Sequence, residues 1–187
     1  MDESESGAFE VKYLDGEEEE CAWIKRAGEA SVKYPCGDTY VGWFNDEGKR
    51  DGRGEYSWVK APTEEDDDDE EKVVATYKGA YVSGKRCGSG RFTAPDGSIY
   101  DGIWDNGLKS GQGSLVYASK DAYSGEWRNN LRHGKGMYLF KATGSRLNGV
   151  WEEGEVKNGT IFHADGSRFE GIFEKNLPTE GTLCDER

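Results

Sequence analysis

Aliphatic side chains are in short supply in this chain. Hydrophobic residues of every kind make up 34% of its 187 residues, and mean hydropathy is −0.88. A single globular core of that length normally draws on more Leu, Ile and Val. Imidazole is nearly missing: His133 and His163 stand alone, so no Ser-His-Asp order and no His-Glu-x-x-His helix can be assembled. No phosphate loop or nucleotide fingerprint is present either. Cysteine is limited to Cys21, Cys36, Cys87 and Cys184, with no Cys-x-x-Cys pair and no neighbouring His, which excludes a zinc site. The opening MDESESGAFE lacks the basic and apolar regions of a secretory signal, so reduced thiols are expected. No apolar run is long enough to span a bilayer. Positive charge is in deficit, with 24 Lys and Arg against 37 Asp and Glu and a formal net charge of −13. Without a basic stripe, nucleic acid is not expected as a partner, and attraction to an anionic membrane is weak.

What the chain does have is glycine and rings. It holds 27 Gly, and aromatics reach 12%, with 6 Trp, 10 Tyr and 7 Phe. The absence of a Gly-X-Y period excludes collagen, and the ring content argues against a simply disordered acidic chain. The rings recur in register around a central glycine: Tyr40-Val41-Gly42-Trp43-Phe44, Tyr77-Lys78-Gly79-Ala80-Tyr81 and Tyr100-Asp101-Gly102-Ile103-Trp104. Tyr123-Ser124-Gly125-Glu126-Trp127, Leu147-Asn148-Gly149-Val150-Trp151 and Phe169-Glu170-Gly171-Ile172-Phe173 complete the series. Successive central glycines are 37, 23, 23, 24 and 22 apart, and the long interval contains the insertion APTEEDDDDEEKVV. A period near 23 is interrupted once.

Each unit also carries a Gly-x-Gly, as at 52–54, 88–90, 111–113 and 134–136, reduced to its second glycine at Gly159 and Gly181. Between the landmarks stand Gly84, Gly107, Asn130, Gly154 and Asn176, the residue types that best tolerate positive φ, so this column predicts tight turns. A second turn column holds Gly37, Gly97, Gly144 and Gly166. Strand, turn, strand, turn is the unit. The predicted architecture is all-β: an elongated, twisted antiparallel sheet of stacked β-hairpins. An aromatic side chain buries roughly 150–250 Å², so a ladder of rings can replace the missing aliphatics. The central glycine, as at Gly102, is expected to leave a gap between two rings for a neighbouring unit to fill. His133 is expected at a turn-to-strand junction and His163 within a second strand, both in bland structural roles.

Residues 1–71 carry 8 basic and 23 acidic side chains, for −15, whereas 72–187 carry 16 and 14, for +2. The predicted organisation is an acidic segment over 1–27, which could hold a degenerate repeat, then a repeat array over 28–187. The array is broken by an acidic insertion at about 61–74, expected to be disordered around the eight consecutive acids Glu64 to Glu71. The TEEDDDDEE stretch lacks the spacing and central Gly of a calcium loop. The pairs Glu18-Glu19 and Glu152-Glu153 read as solvated surface. The expectation is a non-enzyme with no cofactor and no metal. One modest basic stripe is expected along an edge, from Lys85-Arg86-Cys87, Lys109, Arg132 and Lys135.

Tyr-x-Gly-x-Trp followed by Gly-x-Gly and a turn resembles the MORN repeat, over about residues 40–183 in six units. The Asn-Asp-Glu-Gly-Lys-Arg-Asp-Gly-Arg-Gly run after Phe44, the stretch from Glu126 to Gly134, and Ala142 to Arg146 ahead of Gly149-Val150-Trp151 are similar to the MORN-built radial spoke head component. Asn158-Gly159-Thr160 and Asn176-Leu177-Pro178 share that likeness. The resemblance implies a structural subunit of the ciliary and flagellar axoneme, with a cytoplasmic pool before assembly. Its implied partners are other radial spoke head subunits, with a contact to the central apparatus, and homodimerisation stays open. Tyr77, Tyr81, Tyr100, Trp104, Tyr123, Trp127 and Trp151 are the expected ladder, part of which is expected to form a docking groove. The competing readings are a scaffold at a basal body or division ring, and a membrane-associated module that takes anionic lipid through the basic edge.

Overall fold

The computed structural model describes residues 9–15, 23–60 and 72–184. Cys21, the pair Glu18-Glu19 and the acids Glu64 to Glu71 lie outside the described residues. The chain divides into two compact units, Met1–Pro95 and Asp96–Arg187. Both are all-β. In the first, β1 (Glu10–Tyr13), β2 (Gly28–Lys33), β3 (Thr39–Phe44), β4 (Arg50–Lys60), β5 (Lys72–Val82) and β6 (Lys85–Thr93) pair antiparallel, each with the next. In the second, β7 (Ile99–Asp105), β8 (Leu108–Val116), β9 (Ala122–Arg128), β10 (Leu131–Leu139), β11 (Arg146–Glu152), β12 (Glu155–Phe162), β13 (Arg168–Glu174) and β14 (Leu177–Cys184) do the same. Each unit is therefore a twisted meander of hairpins. Glu10–Tyr13 form a strand ahead of Gly28, and Lys72 to Val74 already belong to β5.

The turns follow from the sequence. Five hairpins close through two residues that both hold positive φ: Ser83-Gly84, Asn106-Gly107, Asn129-Asn130, Glu153-Gly154 and Lys175-Asn176. A type I′ turn demands this, and its twist matches that of the flanking strands. His163 departs from expectation: β12 stops at Phe162, and His163 opens the next turn, donating its N–H to Ser167 O and accepting from Gly166 N.

The two glycines of each Gly-x-Gly serve different ends. Gly102 pairs with Gly113, but the next residue, Ile103, pairs with Ser110, so Gly111 and Gln112 bulge. Gly52, Gly88, Gly111 and Gly134 occupy this bulge position with φ between 56° and 81°, where an L side chain is strained. Where only the second glycine remains, the bulge is one residue shorter: Val150 pairs with Asn158 and Trp151 with Val156, leaving Lys157 alone. Thr179 is the corresponding residue between β13 and β14. The 22-residue spacing from Gly149 to Gly171 is that missing residue.

The second glycines meet the central ones across the sheet. In the second unit Gly102, Gly113, Gly125, Gly136, Gly149, Gly159, Gly171 and Gly181 form one unbroken row. In the first, Ala30, Gly42, Gly54, Gly79 and Gly90 do so. The expected gap at Gly102 is filled from within its own unit. A Cβ there would meet Gly113 Cα at 2.5 Å and the Tyr100 hydroxyl at 2.6 Å. Tyr100 lies across the glycine pair of its own hairpin, and the paired backbone closes the rest.

Candidate functional site

Side chains alternate along a strand, so Tyr100 and Trp104 point to the face that also takes Tyr123, Trp127, Leu147 and Trp151. Along this face the rings form an edge-to-face zigzag. Trp104 meets Tyr100 at 5.2 Å between centroids, Tyr100 meets Trp127 at 5.3 Å, Trp127 meets Tyr123 at 5.2 Å and Tyr123 meets Trp151 at 5.2 Å. The first unit builds its own series: Phe44 to Tyr40 at 5.0 Å, Tyr40 to Tyr81 at 5.4 Å and Tyr81 to Tyr77 at 5.2 Å. Such contacts contribute about 0.5–1.5 kcal/mol per pair beyond area burial, which offsets the shortage of aliphatic core.

The ladder tyrosines are pinned at their polar ends. Tyr77 donates to Ala80 O at 3.0 Å, Tyr100 to Ile103 O at 2.9 Å and Tyr123 to Glu126 O at 3.0 Å. Each thus satisfies a carbonyl three residues on, at the bulge. Burial pushes the Tyr77 and Tyr100 hydroxyls up to about 12. It raises Tyr40, Tyr81 and Tyr123 further still, as desolvation penalises the phenolate. Trp127 Nε1 donates to Gly113 O at 3.0 Å.

The seven residues singled out from the sequence, Tyr77, Tyr81, Tyr100, Trp104, Tyr123, Trp127 and Trp151, are all buried, at 0 to 5% exposure. The structure brings Tyr77 and Tyr81 together in the first unit and the other five in the second. They hold the sheets together, and they leave little ring surface to a partner. What remains accessible on the same face is a second row along the following strands and just past their ends: Tyr56, Trp58 and Phe92 in the first unit, and Tyr117, Tyr138 and Phe140 in the second, all half-buried. Tyr117 and Tyr138 are 5.8 Å apart and Tyr138 and Phe140 4.7 Å apart between centroids.

Cations complete the face. The Arg50 guanidinium stands 4.8 Å from the Tyr56 centroid and 5.1 Å from that of Tyr81. Arg86 stands over Tyr77 at 5.5 Å and Phe92 at 5.6 Å. In the second unit Lys109 Nζ lies 5.0 Å from Tyr100 and 5.1 Å from Trp127, while Arg132 lies 4.2 Å from Trp151 and 5.7 Å from Tyr138. Arg132 also donates to Gly154 O at 2.6 Å. Sequence reading placed Arg86, Lys109 and Arg132 on an edge and passed over Arg50. They belong to the ring face, because a two-residue turn pairs residue i with i+5: Trp104 with Lys109 and Trp127 with Arg132. That offset was the available signal. Lys85 and Lys135 are not in this column: Lys135 pairs with Val150, on the opposite face.

Among the described residues no group of three or more His, Cys, Asp or Glu is placed to hold a metal ion, and Cys36, Cys87 and Cys184 are free thiols.

Among solved structures, the TCP10 domain of Danio rerio CPAP, in complex with a peptide of Danio rerio STIL, aligns with a TM-score of 0.42 at 11% identity. That alignment covers 75% of this chain, which spans only 57% of that one. The Drosophila melanogaster SAS-4 (dCPAP) TCP domain, in complex with a proline-rich motif of Ana2 (dSTIL), gives a TM-score of 0.44 at 11% identity, covering 79% of this chain and 72% of that one. The TCP10c domain of Drosophila melanogaster Sas-4 gives 0.38 at 8% identity, covering 87% and 100%. No curated protein matches the sequence. The model of the MORN repeat matches residues 46–60, 77–99, 100–122 and 123–142, so these four segments are similar to MORN repeats.

Proposed function

We propose that this chain is a non-enzymatic structural subunit of the axonemal radial spoke head, where it holds neighbouring subunits in place through protein–protein contacts. The observation that supports the mechanical half of this reading is the pinned ring ladder. Tyr77, Tyr100 and Tyr123 are each held by a hydrogen bond and lie across a glycine pair, and Tyr100 and Tyr123 each meet two further rings, so these hairpins resist bending. A part that transmits contact between the central apparatus and the motors needs that stiffness. The axonemal half rests on the loop and turn segments quoted above, from Asn45 to Gly54, Glu126 to Gly134 and Ala142 to Arg146.

A fluorescently tagged copy expressed in a ciliated cell tests it. Signal along the whole axoneme, with spoke heads lost on depletion, is the expected result. Signal confined to the basal body or a division ring would overturn the spoke assignment in favour of a cytoskeletal scaffold elsewhere. One observation favours the lipid reading as a second candidate: cations do share a face in each unit.

A further inference from the structure

The net charge of −13 hides a segregation by face. In the second unit, every Asp and Glu of β7, β9, β11 and β13 alternates away from the ring ladder: Asp101 and Asp105, Glu126, Glu152, Glu170 and Glu174. The intervening strands obey the same rule, for Glu155 pairs with Glu152 and Glu180 with Ile172. The ring face of these eight strands therefore carries cations, Lys109 and Arg132, and no strand carboxylate. One turn acid borders this face: Asp121, at the far end of the hairpin, accepts from the Tyr138 hydroxyl at 3.1 Å and from Lys141 N at 2.8 Å.

From this we infer that the ring face of the second unit docks an acidic peptide segment of a partner protein, one that presents carboxylates to Lys109 and Arg132 and apolar side chains to Tyr117, Tyr138 and Phe140. The proposal rests on the scaffold reading and names its partner class. Three features carry it. Arg132 is already stacked on Trp151 at 4.2 Å and held by Gly154 O at 2.6 Å, so little side-chain freedom is lost when a carboxylate arrives. The second-row rings beside it are half-buried, and aromatic plus Arg is the composition that dominates binding energy at protein interfaces. The opposite face mixes its carboxylates with Arg128, Lys135, Arg146 and Arg168, so only the ring face offers strand cations unopposed by strand carboxylates.

The test uses the full chain and a fluorescein-labelled 16-residue peptide, Glu-Ser-Phe-Glu repeated four times, with a Gln-for-Glu version as reference. Anisotropy is followed at low and at moderate salt. The acidic peptide is expected to bind about tenfold tighter than the Gln version, and to weaken as salt rises. Lys109→Gln with Arg132→Gln is expected to lower its affinity about tenfold, while Arg128→Gln with Lys135→Gln, on the opposite face, leaves it unchanged. Arg132→Lys, which retains charge, and Lys109→Gln alone keep the question answerable if the double variant melts early by circular dichroism. Equal binding of the two peptides, or equal loss from the two pairs of substitutions, overturns the proposal. So does binding of phosphatidylserine-containing vesicles that needs Lys109 and Arg132 when the peptide does not bind. An axonemal signal without peptide binding would sink this inference alone, and peptide binding with a basal signal would sink only the spoke assignment.

Discussion

A methyl group on Gly113 tests the packing logic at its tightest point. A Cβ there would lie 2.7 Å from Tyr100 Cζ and 2.8 Å from its Cε2, distances a ring cannot accept. Tyr100 is fully buried, so it cannot swing into solvent without leaving the ladder. Overpacking of this kind costs about 1–3 kcal/mol. A displaced ring would also stretch its hydrogen bond to Ile103 O, worth about 0.5–1.5 kcal/mol, and its edge contacts to Trp104 and Trp127, at about 0.5–1.5 kcal/mol each. Since a ring that moves relieves the overlap, these costs do not add fully, and Gly113→Ala is expected to cost about 3 kcal/mol. Gly107→Ala is the control. Its Cβ would meet nothing within 4 Å, but φ is +87°, so it carries backbone strain alone, about 1–2 kcal/mol. Urea unfolding followed by tryptophan fluorescence measures both. A cycle with Tyr100→Leu isolates the ring: the leucine that naturally occupies the equivalent site, Leu147, is also buried, and in that background Gly113→Ala should lose at least about 1 kcal/mol of its cost. If Gly113→Ala is cheaper than Gly107→Ala, or if the two substitutions simply add, the tyrosine is not what excludes a side chain from the glycine row.

Other perturbations probe separate links. Tyr77 and Tyr100 are fully buried, with hydroxyls pushed up to about 12 by desolvation. The unfolded chain ionises them near 10, so their contribution is intact below pH 10 and falls by about 1.4 kcal/mol per pH unit per tyrosine between 10 and 12. Far-ultraviolet circular dichroism and tyrosinate absorbance should therefore change together in that window, and ladder tyrosines that titrate near 10 in a folded chain would refute this. Trp127→Phe should cost about 1 kcal/mol more than Trp151→Phe, because Trp127 Nε1 bonds Gly113 O whereas the buried Trp151 Nε1 has no partner among the described residues. Equal costs in urea unfolding would count against it. Asp121→Ser should lower the urea midpoint less than Asp121→Ala, since Ser98 does the same work in the preceding repeat, accepting Ala118 N at 3.1 Å. The Lys141 N–H holds the Asp121 carboxyl below its ordinary range, so the gap between wild type and Asp121→Ala should persist above about pH 4 and close as the carboxylate protonates. A gap that widened in acid would contradict the assignment.

The turn column was legible in the sequence because a two-residue hairpin turn needs positive φ twice, and few residue types stand there: Asn130 and Asn176 could replace glycine, and both hold φ of 65° to 70°. The ring ladder was legible because period two puts Tyr100 and Trp104 on one side. Three things were not. Nothing local distinguishes the two glycines of Gly-x-Gly. One is demanded by its own dihedral at the bulge, the other by a tyrosine on the paired strand, and only the register separates a backbone requirement from a packing one. The filling of the Gly102 gap was misassigned for a related reason: a ring can fold back along its own strand, and alternation says which face a side chain takes but not which way it leans on that face. His163 was misplaced because Asp165-Gly166 draws the turn back to include it.

The charge column carries the larger lesson. A basic residue every 23 positions reads from composition as a weak stripe on a strongly acidic chain, and net charge argues that it is irrelevant. Strand pairing reverses that weight. With the i and i+5 rule of the two-residue turn, Arg86, Lys109 and Arg132 fall opposite Tyr81, Trp104 and Trp127, while the carboxylates of β7, β9, β11 and β13 alternate outward. The field a partner meets on the ring face is weighted toward residues within a Debye length of it, about 8–10 Å at physiological salt, and the charged strand side chains on that face are cations in a molecule whose total charge is negative. The column also ends where the bulge shortens: at Val156, fully buried opposite Trp151, and at Pro178 opposite Phe173. The repeats that lose the first glycine are the ones that lose the cation. Replacing Val156 with Arg should not extend the binding face, because the one-residue bulge at Lys157 leaves that position fully buried opposite Trp151, where a guanidinium would have to be desolvated.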